Sequence, residues 1–114
     1  MIIKSGIDLV EQSRIERQLN DTTFMHKVFH PSELRDADAK RLSSIFALKE
    51  SVFKALELSS NHWLDIEITY SKQGKPSLLL SDSIKPQGHY ALDCSVSHAQ
   101  GLTVAIVLLL QDED

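Results

Sequence analysis

Ala39-Lys40-Arg41-Leu42-Ser43-Ser44-Ile45-Phe46-Ala47-Leu48-Lys49-Glu50-Ser51-Val52-Phe53-Lys54-Ala55-Leu56-Glu57-Leu58 decides the fold. Leu42, Ile45, Phe46, Phe53 and Leu56 recur at the helical rotation of about 100° per residue, so they share one apolar stripe. The spacing predicts a long helix from Ala39 to Leu58, the spine of the domain. On its N-terminal side, Ile2 to Leu9 is apolar and β-rich enough for a strand, and Glu11 to Leu19 carries Ile15 and Leu19 at helical spacing. Asp21, Thr22 and Thr23 offer N-caps for a short helix bearing Phe24 and Val28. Pro31 followed by Ser32 and Glu33 predicts one more helical turn. On the C-terminal side, Leu64 to Tyr70 alternates through Leu64, Ile66 and Ile68. Ser77 to Leu80 follows the Gly74-Lys75-Pro76 turn, and Tyr90 to Val96 precedes a last strand, Leu102 to Leu110, which reads as buried. One strand, several helices and an antiparallel meander make an α+β fold, with the long helix packed on a mainly antiparallel sheet.

No repeat, low-complexity tract or linker divides the chain, and 114 residues with 42% apolar and 25% charged content suit one domain spanning 1–114. So small a domain leaves much of its surface exposed, which makes a site shared between subunits a reasonable expectation. The formal charge is −4; Asp112, Glu113 and Asp114 supply three of the negative charges in a tail expected to be mobile, leaving 12 basic against 13 acidic groups in the rest. Such a balance allows local basic patches but is far from that of a general nucleic-acid binder. Cys94 is the single cysteine, so an internal disulfide and a cysteine-based zinc site are excluded and a reducing cytoplasm is compatible. Met1 to Gly6 lacks the apolar core of a secretion signal, and the apolar run from Leu102 to Leu110 is too short to cross a bilayer. A membrane partner is not expected.

Asp8 interrupts an apolar strand at Ile7-Asp8-Leu9, where an unpaired charge near a sheet core would cost several kcal/mol, roughly. Alone, it reads as a strand-end residue capping the next helix. Glu50 lies about 85° from the centre of the apolar stripe, beside Ser43, Ala47, Lys54 and Glu57 on one helix face. The small side chains of Ser43 and Ala47 predict a hollow next to a carboxylate and an ammonium. Alone, Glu50 and Lys54 are an exposed i,i+4 pair worth a few tenths of a kcal/mol, roughly.

Read together the motifs say more. Gly6-Ile7-Asp8-Leu9-Val10-Glu11, Phe46-Ala47-Leu48-Lys49-Glu50-Ser51-Val52-Phe53-Lys54-Ala55-Leu56, Gly74-Lys75-Pro76 and Ser95-Val96-Ser97-His98 occur in the order and rough spacing of one family. From about Gly6 to Leu108 the chain resembles the holo-acyl-carrier-protein synthase class of phosphopantetheinyl transferases. The resemblance implies a homotrimer with coenzyme A bound in clefts between subunits, and transfer of 4'-phosphopantetheine to a carrier-protein serine with release of 3',5'-ADP.

By the same resemblance, Asp8 and Glu50 hold magnesium, a hard ion suited to pyrophosphate oxygens and one or two carboxylates. Asp8, Glu50 and Lys54 form the catalytic set. Either Glu50 or a metal-bound water takes the serine proton, and Lys54 stabilises phosphate charge. His98 and the Gly74-Lys75-Pro76 turn lie at the nucleotide. Arg14 docks the acidic carrier, with Arg17 one turn away and Lys27 as a further neighbour. His26, His30, His62 and His89 lack metal-site spacing, and His26 and His30 read as partly exposed helix-end residues; Trp63 is expected to pack at the start of its strand.

The chain also departs from the pattern. Ile45 stands where an arginine is usual, with Arg41 one turn earlier as its replacement. Glu57 to Asn61 replaces a Gly-rich stretch, Ala99 follows the histidine where a polar residue is common, and the segment from Phe29 to Ser43 is short. The alternative reading is a non-catalytic trimeric carrier-binding member, against which Asp8, Glu50 and Lys54 stand together. A different magnesium-dependent nucleotide enzyme is disfavoured by the absence of a Walker loop.

Overall fold

The computed structural model describes residues 1–113; Asp114, grouped above with the acidic tail, lies outside them. Strand β1 (Ile2–Glu11) runs directly into α1 (Gln12–Glu16), followed by α2 (Thr22–Val28), α3 (Pro31–Leu34) and the long α4 (Ala39–Ala55). A 3-10 turn (Trp63–Asp65) leads into β2 (Ile66–Tyr70), β3 (Pro76–Leu80), β4 (Tyr90–Ala99) and β5 (Leu102–Gln111). Asp21 caps α2 by accepting from Phe24 N at 3.0 Å, and Asp38 caps α4 by accepting from Arg41 N at 2.8 Å. Each satisfies an otherwise orphaned first-turn amide.

The strands do not form one meander. β5 is central in a three-stranded antiparallel sheet, order β1-β5-β4, while β2 and β3 make a separate antiparallel hairpin. The connection 81–89 carries Pro86, which has no amide hydrogen to give to a ladder, and a positive-φ Gly88. Leu64 lies in the 3-10 turn and is exposed. The helix ends at Ala55, with Leu56 as its cap and Glu57 at φ 58.

α4 rests on β1 and β5. Gly6 lets it descend, because a Cβ there would overlap the Ser51 carbonyl oxygen. Ser51 Oγ donates to Ala47 O at 2.8 Å and lies 3.1 Å from Ala105 O. Leu42, Ile45, Phe46, Leu48, Val52 and Phe53 are buried there, and so are Ser43 and Ala47, so the expected hollow beside Glu50 is filled by the sheet. Trp63 packs on Phe46 and Phe53, with ring centroids 5.0 and 4.9 Å away. The helices are stapled by a buried ion pair: Lys49 Nζ donates to Glu33 Oε1 and to Val28 O, each at 2.7 Å. Glu33 also accepts from His30 N at 2.7 Å and from Ile68 N at 2.8 Å.

Among the described residues, only one face of the β1-β5-β4 sheet is covered. Thr103, Ala105, Val107 and Leu109 of β5 are buried under α4, whereas Leu102, Ile106 and Leu108 point the other way and are exposed. The expectation of a buried last strand therefore holds for one face alone. Ile7 and Leu9 on β1 continue the outer apolar surface, with Ile7 opposite Ile106 and Leu9 opposite Val104. At the terminus, Asp112 N donates to His89 O at 3.0 Å and Glu113 lies 3.3 Å from the Met1 ammonium, which ties down the part of the tail described.

Candidate active site

Asp8 is neither at a strand end nor a cap. It sits within β1 opposite Ala105, on the face turned toward α4, and Glu11, at the N-cap of α1, makes no side-chain capping bond. The close approach at Gly6 brings the face of α4 that carries Glu50 and Lys54 over this part of β1. Lys54 Nζ donates to Ile7 O at 2.7 Å and lies 3.4 Å from Asp8 Oδ1. Arg14 on α1 lays its guanidinium 4.9 Å from the centroid of Phe46.

These groups are electrostatically unfinished. Burial pushes the Asp8 carboxyl above its ordinary range despite the opposing charges of Lys54 and Arg14. Burial and then the negative charge of Asp8 push Glu50 up as well, again against Arg14 and Lys54. Two carboxylates, each costly to ionise where it is buried and one of them raised further by the other's charge, would gain from a nearby cation. Among the described residues no three His, Cys, Asp or Glu gather around one point. A metal here would have two protein ligands and complete its shell from water and substrate, which suits magnesium. Arg17 is the exposed C-cap of α1 and makes no ion pair among the described residues.

The remaining candidates meet in a cleft of about 510 Å³, walled by Asp38, Lys40, Arg41 and Ser44 of α4, Tyr70 at the end of β2, Gly74-Lys75-Pro76, and Cys94 to Val96 with His98 from β4. The turn is built by Ser71: its amide donates to Lys75 O at 2.9 Å, its carbonyl accepts from Gly74 N at 2.9 Å, and its hydroxyl accepts from Lys75 N at 3.0 Å. Gly74 holds φ +87, the left-handed region that favours glycine. Arg41 places its guanidinium carbon over the Tyr70 ring, 3.8 Å from the centroid, and makes no ion pair among the described residues. Burial raises the Tyr70 phenol to about 12 in spite of Arg41. His98 is pushed below its ordinary range by burial and by Lys40.

The candidates thus separate into a carboxylate group (Asp8, Glu50, Lys54, Arg14) and a cleft group (Arg41, Gly74, Lys75, Pro76, His98). Ser44 and Glu50 stand about 9 Å apart along the axis of α4, at about 1.5 Å rise per residue. Sequence reasoning missed Tyr70 and Lys40 in the cleft. Tyr70 closes an alternating strand and Lys40 sits in the first turn of α4, positions at which side-chain period carries no functional signal. His26 is exposed and His30 partly so, in line with the expectation, and within His30 the Nε2 atom is buried with no hydrogen-bond partner among the described residues.

Residues 4–107 match the model of the 4'-phosphopantetheinyl transferase superfamily. The chain is similar to the holo-[acyl-carrier-protein] synthases of Treponema denticola, at 34% identity over 96% of this chain and 98% of that one, and of Geobacter sp. strain M21, at 36% over 96% and 98%. Its fold is similar to the crystal structure of the Helicobacter pylori holo-[acyl-carrier-protein] synthase in complex with coenzyme A, with a TM-score of 0.75, 32% identity, and coverage of 90% of this chain and 96% of that one.

Proposed function

Because the chain belongs to the 4'-phosphopantetheinyl transferase superfamily, we propose that it is a magnesium-dependent holo-acyl-carrier-protein synthase, moving 4'-phosphopantetheine from coenzyme A to a carrier serine in the cytoplasm. The observation that carries this reading is the gathering of Asp8 on β1 and Glu50 on α4 beside Lys54, 3.4 Å from Asp8, with both carboxyls raised by burial. Magnesium held by the two carboxylates would neutralise and orient the pyrophosphate of the donor. Glu50, made more basic by its surroundings, is suited to take the serine proton. Lys54, anchored on the Ile7 carbonyl, is placed to balance negative charge on the phosphorus and on departing 3',5'-ADP. The cleft offers Lys40, Arg41 and Lys75 to the phosphates of the nucleotide end. The test is intact-mass measurement of apo-carrier incubated with coenzyme A and magnesium: a phosphopantetheine adduct is expected. Stable complex formation without an adduct would support the non-catalytic reading in its place.

The resemblance implies a homotrimer, and the uncovered sheet face favours assembly: Ile3, Ile7 and Leu9 are 66, 58 and 63% exposed, and Ile106 and Leu108 each 37%. Contiguous apolar surface of this kind marks an interaction site. Assembly would also let the carboxylate group of one subunit meet the cleft of another, which a single chain keeps apart. Ile7→Lys combined with Ile106→Lys should yield folded monomers by sedimentation equilibrium, with unchanged far-ultraviolet dichroism and lost transfer. A monomeric wild type that still transfers would overturn the shared site.

Arg14 is exposed on α1 and serves as the carrier-docking residue. Arg14→Glu should raise the KM for carrier by about tenfold or more, since like charges across an interface cost several kcal/mol, roughly. Coenzyme A affinity measured by calorimetry should stay near wild type. An unchanged carrier KM would remove Arg14 from the docking surface.

A further inference from the structure

Behind the cleft, hydroxyl and imidazole groups form a chain whose hydrogens can be assigned one by one. A carbonyl oxygen only accepts. Ser43 Oγ, 2.8 Å from Lys40 O, therefore directs its single hydrogen there. The 2.9 Å contact between Ser43 Oγ and Thr103 Oγ1 must then be donated by Thr103. With its hydrogen committed, Thr103 Oγ1 has only lone pairs for its other neighbours, Gln12 Nε2 at 3.5 Å and His98 Nδ1 at 2.9 Å. Gln12 Nε2 is a donor, as required, and His98 must carry its hydrogen on Nδ1. Ser43 and Thr103 are fully buried, so water does not substitute for either.

The other ring nitrogen faces a different situation. His98 Nε2 lies 3.2 Å from Ser44 Oγ on the cleft wall, and Ser44 Oγ is also 3.2 Å from Lys40 O. The single Ser44 hydrogen thus has two acceptors: Nε2 when the ring is neutral, the carbonyl when Nε2 itself bears a hydrogen.

We propose that Thr103, held by Ser43, is a positioning residue that fixes neutral His98 as its Nδ1–H tautomer, so that a ligand phosphate is met by Nε2 only after the ring has taken up a proton. This rests on the reading that the cleft holds the nucleotide end of coenzyme A. A lone pair on Nε2 repels a phosphate oxygen, whereas the Nε2–H of the protonated ring, shared with or turned from Ser44 Oγ, donates a charge-assisted bond to it. The proton comes from solvent, and no covalent bond to phosphorus changes. The charged or titratable groups that line the cleft with His98 are Asp38 at the N-cap of α4, Lys40 and Arg41 from α4, Tyr70 from β2, Lys75 from the turn and Cys94 from β4, and of these Lys40 acts on the His98 charge. From α1 and β5 the hydrogen-bonded neighbours are the uncharged Gln12 and Thr103. Burial and Lys40 hold the free ring below the ordinary value of 6.5, and an incoming phosphate opposes both. Affinity should therefore fall as pH rises through the His98 pKa of the complex.

Nitrogen-resolved NMR of the imidazole in the free protein reads the tautomer directly. Wild type and Thr103→Ser should show hydrogen on Nδ1. Thr103→Val, which keeps the shape and removes the hydroxyl, should shift it toward Nε2. Calorimetry with coenzyme A in buffers of different ionisation enthalpy, slightly above neutral pH, then counts protons. Wild type should take up more than His98→Gln, a comparison in which titration of the ligand's own phosphate cancels. Thr103→Val should take up fewer and show a flatter pH dependence of affinity, because its neutral ring can already present Nε2–H. Hydrogen on Nε2 in free wild type, or equal uptake by wild type and His98→Gln, would overturn the proposal. Failure of coenzyme A to bind at all would refute the cleft assignment and the proton uptake with it, while the spectrum would still decide the tautomer.

Discussion

Asp8→Ala and Glu50→Ala should each lower turnover by about 10²–10⁴-fold or more, the range associated with a lost acid–base or charge-stabilising group, while making the metal-free protein more resistant to heat. The two effects share one cause. Each carboxyl is raised above its ordinary value in the fold, by burial in both and by Asp8 in the case of Glu50. The folded state therefore binds protons more readily than the unfolded state around these groups. By linkage, the contribution of these two groups to metal-free stability is greatest below the ordinary values of 3.8 and 4.5 and is lost as pH rises through the raised ones. Either substitution removes part of that decline. Magnesium should raise the Tm of wild type by mass action and leave both variants almost unmoved. A variant that retained near-wild-type turnover with magnesium would refute the metal assignment, whatever its Tm.

How far the sequence could be read follows from which contacts are local. α4 was legible because its stripe repeats within one element, and the two hairpins because their strands are neighbours in the chain. The pairing of β1 with β5 joins opposite ends of the chain, and nothing in the alternation of either strand names its partner; hence the expected meander, against the observed β1-β5-β4 order. β5 looked buried on both faces because a continuous apolar run does not say what covers each side. Ile106 and Leu108 are apolar yet uncovered in one chain. The candidate site was legible as motif order, and the structure gathers its residues into two groups. What escaped was chemistry spread over distant elements: Tyr70 beneath Arg41, and Thr103 behind His98. Lys49 did leave a trace. It lies four residues after Ile45 and three before Val52, on the apolar stripe itself, where a charge needs a partner.

Lys49→Met and Glu33→Ala should each destabilise the protein by about 3–5 kcal/mol, because each leaves the other charge buried and unpaired. Both side chains are fully buried, 2.7 Å apart. An ion pair replaced whole by apolar residues is often neutral for stability, but here the pair also serves the backbone. Lys49 donates to Val28 O, and Glu33 accepts from His30 N and Ile68 N, so three groups from the α2 end, the α3 start and β2 depend on it. Lys49→Met with Glu33→Leu should therefore cost less than the sum of the singles, since no lone charge remains, yet should not return to wild type, since those backbone groups are stranded. Chemical denaturation of the four proteins would measure this. Strict additivity would mean that the charges do not sense one another, and full recovery would mean that the backbone bonds contribute nothing. Because Lys49 is the immediate neighbour of Glu50, about 100° around α4 from it, loosening it should also let the helix shift over β1. Magnesium should then bind more weakly to the single variants even under conditions where they remain folded.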